Sequence, residues 1–356
     1  MTLLFRKFGT LLVLAVAATL PTIGGAGAQV PPPACGQTIT QSTTLTGDLG
    51  PCPNFGLIIG ADGITLDLAG FRIFGTPARF DNAGVYALRR TGVTVRNGTV
   101  SDFDAGVAIE GGSGNLITNM RARDNIGMTG TRWGDGIALL SSTDNTVFGN
   151  EAFNNGPFSG IGVYSEVDGD HPRATTGVST RNLIDSNSSH DNVAARAGIV
   201  NFTATDNDGI RLEPGSAGNT VTNNQVYSNG LDGIAVFSRS PGNIIRNNSV
   251  FSNGRRTTAR RGDGIRVFAT SDRTVIEFNQ SMDNGANGIV VGSMSNTIQF
   301  NRAVDNGLLP PLNPNNPNTF GFDLNDLLVN CDANLWFGNI YRTTRQACSA
   351  NGGTQV

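Results

Sequence analysis

Asp208, Asp232 and Asp263 each stand directly before a glycine that opens a short apolar run, and Arg211 and Arg266 follow the first and third of them by three residues. Carboxylates in register, with guanidinium groups beside them, suit acid–base chemistry on an anionic substrate. In glycoside hydrolysis one carboxylic acid protonates the leaving oxygen while a second activates water. In β-elimination from a uronic acid, a base removes the proton alpha to a carboxylate that a cation neutralises. Asp208, Asp232 and Arg211 are therefore candidate catalytic groups, and Arg266 a candidate substrate clamp. Two carboxylates about 4.8 Å apart repel by roughly 3.5 kcal/mol at an effective dielectric near 20. The arginines, a Ca²⁺ held by Asp208, Asp232 and Asp263, or a proton shared between two carboxylates would offset this. The alternative is that each aspartate caps an exposed bend through backbone N–H groups, so that an Asp→Asn change is neutral or stabilising, as Asn287 in the same place implies.

Other groups extend the list. The chain has two histidines, His171 and His190, as imidazole acids or bases. Tyr164 and His171 bound the segment Tyr164-Ser165-Glu166-Val167-Asp168-Gly169-Asp170-His171-Pro172. Arg132 and Trp133 are adjacent in a loop, where a Trp makes a platform for a sugar ring. His190 and Tyr227 share a row with Phe153, Phe251, Met282 and Val304 that faces outward by alternation, either as a strip for sugar stacking or packed beneath inserted loops.

A repeat positions all of these. Asn219, Asn224 and Asn229 are answered 24 residues later by Asn243, Asn248 and Asn253, and the same offsets recur at Asn145, Asn182, Thr274 and Asn296. Between these blocks lie Gly-led alternating runs at Gly136, Gly209, Gly233, Gly264 and Gly288. A period in the low twenties with strand-like alternation is that of a solenoid whose coils bury their apolar faces only by stacking. Asn stacked on Asn keeps a buried bend hydrogen-bonded by donating its amide to the next coil's carbonyl. Gly84, Gly106, Gly136, Gly160, Gly209, Gly233, Gly264, Gly288 and Gly321 read as one column, where glycine permits a bend with φ > 0. The insertions 126–134, 162–181, 193–207 and 255–262 gather on one flank, where function is built.

From Leu57 to Asn339 these motifs, with Ile64-Thr65-Leu66-Asp67-Leu68-Ala69-Gly70 as the opening phrase, resemble right-handed parallel β-helix repeat proteins, the pectate-lyase-like superfamily that includes polygalacturonases, alginate epimerases and NosD-like proteins. The resemblance implies an all-β, single-stranded right-handed parallel β-helix of about 10–11 coils. It also implies action on an acidic polysaccharide by lyase or C5-epimerase chemistry, with non-catalytic glycan or protein binding of NosD-like or adhesin-like type as the alternative. The Tyr164–His171 segment is similar to the catalytic Tyr-x-x-Asp-Pro-His of alginate C5-epimerases, but here the order is Asp-His-Pro. Lys7 is the only lysine, so lysine-dependent lyases and epimerases match poorly; Asp206-Asn207-Asp208 lacks the Gly-His-Gly and Arg-x-Lys of polygalacturonases.

Residues 1–28 read as a secretory signal peptide: Arg6 and Lys7, an apolar run, then Ala26-Gly27-Ala28, too short for a membrane span. Its removal takes the net charge from −3 to −5, which argues against nucleic acid. The expectation is a secreted or periplasmic monomer, with a linker and cap over 29–55, the helix over 56–306 and a last coil and cap over 307–356. Four cysteines in an exported chain imply disulfides; Cys35–Cys52 and Cys331–Cys348 would close the two open ends of the solenoid.

Overall fold

The computed structural model describes residues 32–76, 82–127, 134–166, 176–193, 207–255, 262–307, 321–331 and 333–356. Arg132, Trp133 and His171 lie outside them. Each coil contributes one strand to sheet A, which runs through eleven parallel strands from Gln37–Ile39 to Leu324–Asp326. Two further strands per coil form parallel runs that merge where Thr94–Ser101 and Leu116–Arg123 pass through the bend unbroken. The fold is a right-handed parallel β-helix.

The core is made of like residues stacked on like. Leu57, Val85, Val107, Ile137, Ile161, Ile210, Ile234, Ile265, Ile289 and Leu324 occupy successive positions of one inward column and are fully buried. Burying each such side chain is worth about 1.5–3 kcal/mol. A shift of one residue would turn a whole strand inside out, so alternation sets the register.

Asparagine ladders fix the two bends flanking the third strand and the bend before the second. Asn248 Oδ1 accepts the backbone N–H of Asn224 at 3.0 Å and its Nδ2 at 3.0 Å. The Asn248 amide donates to Val221 O in the preceding coil and to Asn279 Oδ1 in the next. The carbonyl thus served belongs to the coil before, not the coil after as stacking alone indicates. The ladders also reach beyond the blocks visible in the repeat, to Asn115 and Asn125 at one end and Asn334 and Asn339 at the other.

The glycine column has a different cause from the one expected. None of Gly84, Gly106, Gly136, Gly160, Gly209, Gly233, Gly264 or Gly288 has positive φ. Instead, a Cβ at Gly209 would sit 2.7 Å from Gly233 O and 2.6 Å from Asn229 Nδ2, and one at Gly233 would sit 2.6 Å from Gly264 O. Close coil-to-coil approach demands glycine here. Gly321 does not belong to the column: Ile289 N–H donates to Asp323 O, so Asp323 takes the place.

Positive φ occurs instead at the bend between the second and third strands, at Asn97, Asn119, Gly149, Ser186, Asn223, Asn247, Phe278, Phe300 and Gly338. Asn, Ser and Gly tolerate this region; a left-handed Phe costs about 1–2 kcal/mol. The disulfides are Cys35–Cys52 and Cys331–Cys348, one at each end. Trp336 fills the last inward position of the second-strand row, after Ile298, and donates Nε1–H to Asp326 Oδ2 at 2.8 Å near the C-terminal end of the core. Among the described residues no helix is long and apolar enough to cross a membrane.

Candidate functional site

Sheet A brings Asp135, Ser159, Asp208, Asp232, Asp263 and Asn287 into one row on its outer side, one per coil. All six are buried, so these are not exposed bends. Asp208 Oδ1 accepts the Asp232 N–H at 3.0 Å, Asp232 Oδ1 accepts the Asp263 N–H at 2.7 Å, and Asp263 Oδ1 accepts the Asn287 N–H at 2.8 Å. The acceptors therefore point toward the following coil, opposite to the asparagine ladders. The expected backbone capping exists, but it runs between coils and inside the protein.

The arginines answer the charge. Arg211, with a side chain 7% exposed, reaches Asp208 Oδ2 at 3.4 Å and donates Nε–H to Glu213 Oε1 at 2.5 Å. Arg266 reaches Asp263 Oδ2 at 3.2 Å and keeps 31% of its side chain exposed. Their guanidinium groups lie over Phe237 and Phe268, at 4.1 and 4.3 Å, and these two rings stack at 4.7 Å. Although burial opposes its charge, Asp263, Asp232 and Asp208 together hold the Arg266 pKa above the ordinary arginine value. Arg266 walls a cavity of about 140 Å³ with Asp263, Asn287, Val290, Asn325 and Leu327. The three carboxylates are strung along the axis, and among the described residues no three acidic, His or Cys side chains converge as a metal site would require. The calcium expectation thus finds no ligand cluster there.

Tyr164 joins the same face. Its hydroxyl donates to Asp135 Oδ1 at 2.6 Å, as does Ser159 Oγ at 2.6 Å. Burial first, then the Asp135 charge, push the Tyr164 pKa well above 10. Its hydroxyl is thus held as a proton donor. Asp135, Glu213, Phe237 and Phe268 are site residues that the initial candidates omitted. Asp135 had a signal, since it also precedes a column glycine; Phe237 and Phe268 stand next to the inward residues Val236 and Val267, so strand alternation carried across coils would have found them.

His190 and Tyr227 lie elsewhere, on the third strands of their coils. Phe153, His190, Tyr227 and Phe251 stack in sequence at 5.3, 4.7 and 4.9 Å. The His190 side chain is only 13% exposed, with Asp191 and Glu151 oxygens at 2.9 and 3.3 Å from its ring nitrogens. The row exists as expected, but its His190 and Tyr227 faces cover each other, which leaves little ring surface for a sugar.

The sequence family described as right handed beta helix region matches residues 70–250 and 200–334. No curated protein sequence matches the chain. Among solved structures, the Dettilon tailspike protein is similar with TM-score 0.54 and 15% identity over 86% of this chain and 54% of its own, so the chain spans about half the tailspike's length. The Agl-KA catalytic domain gives TM-score 0.52 and 14% identity, covering 91% of this chain and 62% of that one. A mutant of the periplasmic alginate epimerase AlgG gives TM-score 0.50 and 16% identity, over 72% of this chain and 67% of the epimerase. At these identities the likeness is one of fold.

Proposed function

Because the chain belongs to the right-handed β-helix family, we propose that it is an exported carbohydrate-active protein that binds an acidic polysaccharide along the outer side of sheet A and acts on it by lyase or C5-epimerase chemistry. The observation that carries this reading is Arg266: a permanently charged, partly exposed guanidinium at the wall of a small cavity, on the face that also holds the Tyr164–Asp135 pair. A uronate carboxylate set against Arg266 has its charge neutralised, which acidifies the adjacent C5 proton. Tyr164, buried and three coils from Arg266, is held protonated against Asp135 and so orients that carboxylate instead of giving up its proton. His171 is the imidazole available as base, and Arg132 with Trp133 are candidates to hold flanking sugars. A periplasmic alginate epimerase shares this fold, which agrees with a saccharide ligand and an exported location.

A binding-only reading draws on a separate observation. Asp208, Asp232 and Asp263 each accept a neighbouring coil's N–H, and Asp208 and Asp263 are also ion-paired, so none stands ready as a base. One experiment separates the readings. The protein is incubated with alginate, polymannuronate and polygalacturonate, following unsaturated product by ultraviolet absorbance and C5 proton exchange by NMR. Turnover that falls at least tenfold in Arg266→Gln supports catalysis; binding without product in any of these supports the second reading; no binding refutes both. Export predicts a mature chain beginning at Gln29, which N-terminal sequencing of secreted protein would show.

A further inference from the structure

On another side of the molecule, at the bend between second and third strands, Phe278 and Phe300 hold φ of 56° and 55° in a row where most coils place Asn, Ser or Gly. Their exposures are 52% and 44%, so neither strain nor exposure is repaid by core packing. The two rings stack at 5.3 Å, and Phe337, 46% exposed, stands at 84° to Phe300 with centroids 5.6 Å apart. Beside them runs a polar row: Arg246 Nη2 lies 3.3 Å from Glu277 Oε1, and Gln299 Nε2–H donates to Glu277 Oε2 at 2.8 Å. Arg246, Glu277, Gln299 and Phe337 occupy one register column.

We infer that this corner is a second saccharide-binding surface, for an uncharged glycan chain lying along the helix axis. Three half-exposed rings offer on the order of 300 Å², well under the roughly 800 Å² per partner of a stable protein interface. Apolar ring surface flanked by planar hydrogen-bonding side chains matches a sugar, whose C–H faces are apolar and whose rim is hydroxylated. Arg246 balances Glu277 in the polar row, which leaves Arg302, exposed two residues beyond Phe300, as a single cation beside the rings, too little to select a polyanion. Residues that strain the backbone and expose apolar surface persist where they bind something.

The test is titration calorimetry and saturation-transfer NMR with cellohexaose, maltohexaose, laminarihexaose and xylohexaose, on the native chain and on Phe278→Asn/Phe300→Asn. Asn is native to this row at positions 223 and 247, so the double variant should melt at the same or a higher temperature. Binding of at least one hexaose to the native chain, weakened tenfold or more in this variant and in Phe337→Ser, is the expected result. Retained affinity in the double variant, failure of all four sugars to bind the native chain, or a native dimer that the double variant dissociates would each overturn the inference. Polygalacturonate binding at the Arg266 face should be the same in all three proteins, which keeps the two surfaces distinguishable.

Discussion

Asp208→Asn should destabilise the protein, although Asn is the residue that the same row carries at position 287. The substituted side chain would have to keep its oxygen on the Asp232 N–H, the bond that Asp208 makes at 3.0 Å, and so would turn its amide N–H₂ toward Arg211. An acceptor facing a guanidinium becomes a donor facing donors. At 3.4 Å the lost attraction is about 5 kcal/mol at an effective dielectric near 20. Removing the negative charge also relieves repulsion from Asp232, roughly 3.5 kcal/mol at the coil spacing of about 4.8 Å. The net loss is therefore about 1.5 kcal/mol, tempered by the Glu213 carboxylate that still holds Arg211. Asp263→Asn is the control: Arg266 is 31% exposed and solvent screens its pair, so that loss should stay within about 0.5 kcal/mol. Urea unfolding of the three proteins measures this as a lower midpoint for Asp208→Asn at unchanged slope. An Asp208→Asn midpoint equal to or above the parent's, or an equal loss in Asp263→Asn, refutes the reasoning.

Further outcomes follow from the same contacts. Asn248→Ala strands the Asn224 N–H and the Val221 carbonyl in the interior, and should cost about 3 kcal/mol or more, seen as a urea midpoint well below that of an exposed Asn119→Ala. Tyr164 has its folded pKa raised, so its contribution is intact below the unfolded value near 10 and is lost as pH rises beyond it. Tyr164→Phe should therefore be less stable at neutral pH but show a flatter decline above about pH 10, while the tyrosinate absorbance of the folded protein near pH 10 should be the same in the parent and in this variant. Replacing Cys331 and Cys348 by serine opens a loop with a separation of 17 residues and should cost about 3 kcal/mol, read as a lower melting temperature that reductant does not lower further at this end.

The fold was legible because its signals are periodic and local chemistry explains them. An asparagine has one donor group and one acceptor, so a buried column of them is satisfied only when coils stack in register, and their spacing gives away the coil length. The inward column from Leu57 to Leu324 and the two disulfides follow from alternation and from the need to close open ends. The Asp–Arg pairs at 208/211 and 263/266 stand close in the sequence, but regular alternation would put residues three apart on opposite faces; they meet because the column glycine and the isoleucine after it both face the core, which shifts the alternation by one. Tertiary structure alone decided the rest. The contact of Tyr164 with Asp135 spans 29 residues and depends on how two coils lie against one another. Glycine in its column answers a neighbour's carbonyl, not its own φ, and nothing in its own strand records that carbonyl. His190 and Tyr227 shared a plausible list with the carboxylates, yet sit on a different strand of the coil, because one-dimensional spacing does not say which side of the coil a row faces. The burial of Asp208, which turns a turn cap into a charged interior contact, arises from packing between coils, and packing between coils is what a sequence read one strand at a time leaves out.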